Sequence, residues 1–285
     1  MKNILKLTCL LALMLSSFTL LHAQQRTHQR THQRTQQRTR QGQQQNQNVI
    51  TISVKGVSFK MVRVQGGTFT MGATAEQGGD ALDDEKPAHK VTLSNYYIGE
   101  TEVTQELWAA VMGSNPSEFK GAKHPVENVS WNDCQEFIRK LNQLTGKTFR
   151  LPTEAEWEFA ARGGTKSRHY KFAGGNTLGS VAWYDENAGD KGESSPDYGT
   201  HPVARKAANE LGLYDMSGNV YEWCQDWLGD YSSSAQTNPK GPSSASGRVI
   251  RGGSWFTFSG SCRVSYRNYL SPDSRFSYLG LRLAL

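Results

Sequence analysis

Glycine spacing constrains this chain more than any other feature. Twenty-eight glycines interrupt it, some as pairs: Gly66-Gly67, Gly163-Gly164 and Gly252-Gly253. Glycine serves turns and weakens the interior of helices and strands. The expectation is therefore an α+β fold with less regular structure than average and many packed loops. An apolar fraction of 36% with seven Trp still supplies a core.

Three helices have readable ends. Thr104 caps Gln105 to Met112, which Gly113 and Pro116 stop. Ser130 caps Trp131 to Leu144, where residues 131, 134, 137, 138 and 141 form one apolar stripe. Cys134 on that stripe reads as a core thiol. Thr153 and Glu156 form a capping box that opens a helix ending at Gly163-Gly164. Ile50 to Val64 is rich in β-branched residues and predicts strands. Residues 165–210 read as long loops, followed by short strands over Val220 to Trp227, Arg248 to Trp255 and Leu279 to Leu285. Helices are thus expected early and short strands late.

The N-terminal part reads differently. Residues 1–23 carry Lys2 and Lys6, an apolar run and Leu21-His22-Ala23, the pattern of a cleavable secretory signal. The mature chain is then expected to be secreted, periplasmic or on a bacterial cell surface, with no transmembrane segment. Residues 24–49 form an arm built on Arg-Thr-His-Gln repeats, read as disordered because it has too little apolar surface to bury. Its five Arg offer salt-sensitive contact with an anionic surface. The whole chain is charged +6, yet removing the seven basic residues before position 50 leaves 25 basic against 26 acidic ones in residues 50–285. That balance gives no electrostatic footprint for nucleic acid. Residues 50–285 read as one domain.

After Cys9, three cysteines remain, Cys134, Cys224 and Cys262. An odd number leaves one unpaired, and the spacing fits no zinc pattern.

Residues 255–285 read as two sequences shuffled together. One set is Cys262 to Arg267, Pro272-Asp273, Arg275 and Leu279 to Leu283, with Cys262, Val264, Arg267, Arg275 and Arg282 as scaffold anchors. Trp255 is also fixed-looking, though counted with the expected contact residues, and between these elements stand Phe256, Thr257, Phe258, Ser259, Gly260 and Ser261, then Asn268, Tyr269 and Leu270, then Ser274, Phe276, Ser277 and Tyr278. This second set has the composition of an antibody-like binding surface. The five aromatics Phe256, Phe258, Tyr269, Phe276 and Tyr278 are expected to be exposed and grouped, a mark of a binding site.

Several stretches together resemble the formylglycine-generating enzyme, or sulfatase-modifying factor, family. They are Gly66 to Gly72, Ile98 to Thr104, His124 to Trp131, Arg150 to Glu158, Gly212 to Trp223 and Arg251 to Trp255. The resemblance implies a C-type-lectin-like fold. Oxidase members use two cysteines five positions apart to bind copper(I). Aligned from Gly252-Gly253-Ser254, the second position is Cys262 and the first is Thr257. A hydroxyl is a poor copper(I) ligand, so neither copper nor oxidase chemistry through Cys262 is expected.

The same fold family includes the variable proteins of bacterial diversity-generating retroelements, which the segment 255–285 resembles. There, AAC codons are rewritten to codons ending in C, which never encode Lys, Glu, Gln, Met or Trp. Residues 256–285 contain none of these. The resemblance implies a non-catalytic protein that displays a diversified surface to a protein or glycan ligand. An oxidase and a structural module of a bacterial surface assembly stand as alternatives. It also implies a calcium site at Asp215, Gly218, Val220 and Glu222, whose hard oxygens suit that ion.

Overall fold

A computed structural model describes residues 48–285. The signal segment, the arm up to residue 47 and Cys9 lie outside the described residues. The first strand, β1 (Val49–Val54), starts one residue before the expected boundary at 50. It turns through Lys55 and Gly56, both at positive φ, into β2 (Val57–Val64), a two-residue hairpin whose twist matches its strands. β3 (Gly67–Met71), β4 (His89–Leu93) and β5 (Tyr96–Gly99) follow. Within residues 49–104, five strands thus precede the helix at Gln105, where strands were expected only over Ile50 to Val64. Burial in β4 alternates strictly, as a half-buried strand requires.

The helices form where their local signals stand. In α1 (Gln105–Met112) the Thr104 side chain accepts from the Leu107 N–H, and Gly113 closes the helix in the left-handed region. α2 (Trp131–Thr145) has a reciprocal cap between Ser130 and Asp133, and it buries Cys134, Phe137, Ile138 and Leu141. α3 (Glu154–Ala161) opens with the Thr153/Glu156 box. Residues 165–210 are largely loops, with a short helix α4 (Leu178–Val181) among 3-10 turns.

The later strands are β6 (Tyr221–Trp227), β7 (Gln236–Thr237), β8 (Arg248–Arg251), β9 (Arg267–Leu270) and β10 (Leu279–Leu281). Three sheets result, ordered β1-β2-β5, β3-β4-β7 and β10-β6-β8-β9. β8 ends four residues before the predicted Trp255, because Gly252 and Gly253 turn the chain at φ 100° and 72°. A Cβ on Gly253 would lie 2.7 Å from Cys262 Sγ, so only glycine lets this turn rest against the cysteine.

One core cluster gathers Met61, Leu107, Phe137 and Leu141 around Trp223, with Trp108 stacked on Phe137 at 4.8 Å. A second surrounds Trp157 with Val64, Val91, Ile98 and Val264, and a third, smaller one joins Phe172, Leu178, Val181, Ala182 and Tyr184 to Cys262. Both central indoles are fully buried, and each N–H finds an acceptor: Trp157 donates to Glu222, Trp223 to the Val129 carbonyl.

Candidate functional site

The segment 255–285 is laid across this core so that its two sets of side chains part company. Of the set read as a scaffold, Cys262, Arg263, Val264, Ser265, Arg267 and Leu279 to Leu283 are buried. Its arginines are held by carboxylates from distant parts of the chain. Arg263 meets Glu85 at 2.5 and 2.7 Å, and Arg267 holds Glu154 at 2.7 and 2.8 Å. Arg282 donates to Glu222 at 2.7 Å and also to the Gly99 and Tyr214 carbonyls. Just before the segment, Arg251 pairs with Glu158. Arg275 departs from its expected role: it is exposed, reaching Asp133 at the mouth of α2.

The interleaved set is mostly outside. Phe256 and Phe258 are 56% and 62% exposed, Tyr269 46% and Phe276 38%. Ser259 is exposed, while Thr257, Asn268, Leu270, Ser274, Ser277 and Tyr278 are half-buried. Two expected contact residues are buried instead. Trp255 is an aromatic floor, edge-on to Phe119 and Tyr198 at 5.0 Å each, with its Nε1 donating to the Ser277 carbonyl. Ser261 is enclosed beside Cys262. The indole needs both a packing surface and an acceptor, and the protein interior supplies them.

Grouping is only partial. Phe276 and Tyr278 stack at 4.9 Å, and Phe256 lies near-parallel to Tyr278 at 6.4 Å, making one row of three rings above Trp255. Phe258 faces away from that row across a depression of about 320 Å³, with Asp80, Leu82 and Tyr266. Leu82, 48% exposed, adjoins this surface from outside the segment, and no sequence signal marked it. Tyr269 sits on the edge strand β9, against Gly247, apart from the other rings. The surface backbone is tied from below: Asp185 and Gly189 donate to the Thr257 and Trp255 carbonyls, and Asn128 to that of Phe276.

Beneath the surface lies the pair that bears on oxidation chemistry. The Thr257 side chain lies near enough to the Cys262 thiol to act on its ionisation, so the two positions do face each other. Burial pushes that thiol up to about 12, so it stays protonated at neutral pH. A copper(I) site needs soft thiolates, and here one partner is a hydroxyl already engaged with the Ser254 backbone. Cys134, Cys224 and Cys262 are all unpaired and buried.

At the four positions expected to hold calcium, the Glu222 carboxylate is already engaged. Both Glu222 oxygens accept from Arg282, and one also accepts from the Trp157 indole. Asp215 gives one oxygen to the Ala204 N–H and keeps the other buried without a partner. Gly218 and Val220 supply backbone only, their N–H groups donating to the Gly252 carbonyl and to Glu102. Among the described residues no three acidic, histidine or cysteine side chains converge on one point. The spacing argument missed Arg282, which arrives from sixty residues away.

Comparison with known proteins agrees with this architecture. The model of the sulfatase-modifying factor enzyme 1-like domain matches residues 28–285. The chaperone protein LppX of Paenibacillus barcinonensis is 35% identical, covering 76% of this chain and 88% of that protein. The formylglycine-generating enzyme of Streptomyces coelicolor is 33% identical, covering 78% and 88%. The structure of Treponema denticola variable protein 1 superimposes with a TM-score of 0.72 at 38% identity, covering 83% of this chain and 98% of that one. PvdO from Pseudomonas aeruginosa follows at 0.67 and 26% identity, covering 82% and 97%. With residues 28–285 matched, the chain belongs to the sulfatase-modifying factor enzyme 1-like family, and its fold is similar to that of Treponema denticola variable protein 1.

Proposed function

We propose that this chain is an exported, non-catalytic binding protein of a bacterium, whose segment 255–285 displays a diversified surface to a protein or glycan ligand. The carrying observation is the division of that segment by burial. Phe256, Phe258, Tyr269 and Phe276 point outward, while Arg263, Val264, Arg267 and Arg282 are locked inside. Outward residues of this composition can be exchanged at little cost to stability, whereas the inward ones cannot. The structural likeness to a variable protein supports the same reading. Against oxidation stand the protonated Cys262 thiol and the hydroxyl of Thr257 facing it.

The neighbouring DNA tests diversification directly. The expected finding is an adenine-rich near-copy of the codons for residues 255–285 beside a reverse-transcriptase gene; its absence removes diversification from the reading. Catalysis is tested separately with copper(I) and a cysteine peptide. No stoichiometric copper site and no peptide oxidation are expected. Copper binding that Cys262→Ser abolishes, together with peptide oxidation, would overturn the non-catalytic reading.

A further inference from the structure

A cavity of about 560 Å³ lies away from the exposed aromatics of the segment. None of them lines it; Arg267 is the one residue of 255–285 in its wall. Its volume falls within the range of small-molecule sites. The floor is Met71, Ala155 and Trp227, and the loop from Gly229 to Pro242 forms one side.

Asp226, at the end of β6, is the polar centre of the wall. It is 4% exposed, and its Oδ2 accepts from the Glu154 N–H at 2.9 Å. Among the described residues no donor reaches Oδ1. That oxygen is not sealed off, so it lies open to the cavity and to a donor from a ligand. Of the other two carboxylates of the wall, Asp230 stands on the loop and Glu154 is already matched: it accepts from Arg267 at two points and from the Tyr231 hydroxyl at 3.3 Å. Tyr231 and His89 pack with their rings 4.8 Å apart, and the Arg267 guanidinium already covers the Tyr231 face at 3.9 Å, so Asp226 is left as the acceptor for a ligand.

We propose that this cavity binds a small organic cation, an ammonium or guanidinium group, through the free oxygen of Asp226. Such a group brings several N–H donors and a charge that matches the ionised carboxylate. The charged groups around Asp226 are Glu154 and Glu156 on α3, Arg150 before it, Arg267 on β9 and Arg248 on β8. Asp230, Lys240 and the Tyr231 hydroxyl come from the loop, His89 from β4, and Cys224 lies two residues upstream on β6. Burial, and then the neighbouring Glu154, push the Asp226 carboxyl up to about 8. At neutral pH it is therefore mostly protonated, and cation binding must release a proton to solvent.

Methylguanidinium, which stays charged throughout, and its neutral counterpart N-methylurea are suitable probes, titrated by ligand-observed NMR against the intact protein. Methylguanidinium should bind at one site, with affinity rising roughly tenfold between pH 7 and pH 9 as Asp226 ionises. Methylurea should bind at least about tenfold more weakly at pH 9, a comparison made on the unaltered protein. Asp226→Asn keeps an acceptor for the Glu154 N–H and should lose both the affinity and its pH dependence. Equal binding of methylurea, affinity that falls as pH rises, or undiminished binding by a folded Asp226→Asn protein would overturn the proposal. Its failure would leave the proposed function of the aromatic surface untouched.

Discussion

Residues 256–260 and 262–267 adjoin in sequence, yet they obey opposite rules. The first stretch puts two phenyl rings into solvent and is anchored chiefly through its backbone and the Thr257 side chain. The second buries two guanidinium groups, each on a carboxylate more than 110 positions away. The lesson is that a loop can be held by its main chain in one place and by its side chains in the next. Only the former leaves its side chains free for exchange.

The largest effect expected from breaking this contrast is at Arg282. Arg282→Ala leaves Glu222 charged and unpaired in the core and orphans two carbonyls, which should cost about 3–5 kcal/mol. Thermal unfolding should show a fall in Tm of roughly 10 °C or more. A loss below about 1 kcal/mol would remove the ion pair from the frame.

Trp255→Ala comes next. Although it stands among exchangeable neighbours, its burial and its bond to Ser277 predict a loss of about 3 kcal/mol in denaturant titration. Near-neutral behaviour would return Trp255 to the contact surface.

Glu127 sharpens the comparison from below, because it holds the Phe119 N–H at 2.9 Å and Phe119 supports Trp255. Burial pushes its carboxyl up to about 7, above the ordinary 4.5. The raised value means that ionisation opposes folding: the cost is absent below about 4.5 and fully present above about 7. Glu127→Gln keeps the acceptor for Phe119, so it should match the unaltered protein at pH 4 and exceed it by about 1–2 kcal/mol at pH 8. A constant difference across that range would assign the effect to packing.

The smallest effects belong to the exposed rings. Phe256→Ser, Phe258→Ser, Tyr269→Ser and Phe276→Ser should each change stability by less than about 0.5 kcal/mol. A loss above about 2 kcal/mol in any one of them would place that ring in the frame.

Legibility in the sequence followed the range of the interactions. The three helices begin where Thr104, Ser130 and Thr153 predict, because a cap is settled within a turn of chain. The strands before Gly66 were legible from the β-branched residues of Ile50 to Val64, while their pairing through the Lys55-Gly56 turn came from the structure. β3, β4 and β5 were not, since their pairing depends on partners that periodicity cannot name. In the candidate site, composition picked out the exposed rings but not the burial of Trp255, which Phe119 and Tyr198 create from far away. β9 read as a contact loop because Arg267 to Leu270 lacks the alternation of a half-buried strand. The resemblance pointed to Glu222 as a metal ligand but could not show that Arg282 arrives there from a distant part of the chain.

The long-range ion pairs also bear on how the chain is completed during synthesis. Glu85, Glu154, Glu158 and Glu222 are all made before Arg251, Arg263, Arg267 and Arg282 emerge to meet them. A product interrupted between residues 85 and 282 carries at least one of these carboxylates without its arginine, and it lacks the bonds that Leu283, Ala284 and Leu285 make to Gly99, Arg150 and Tyr97. The core carboxylates are therefore satisfied last, by the end of the segment that carries the exposed rings.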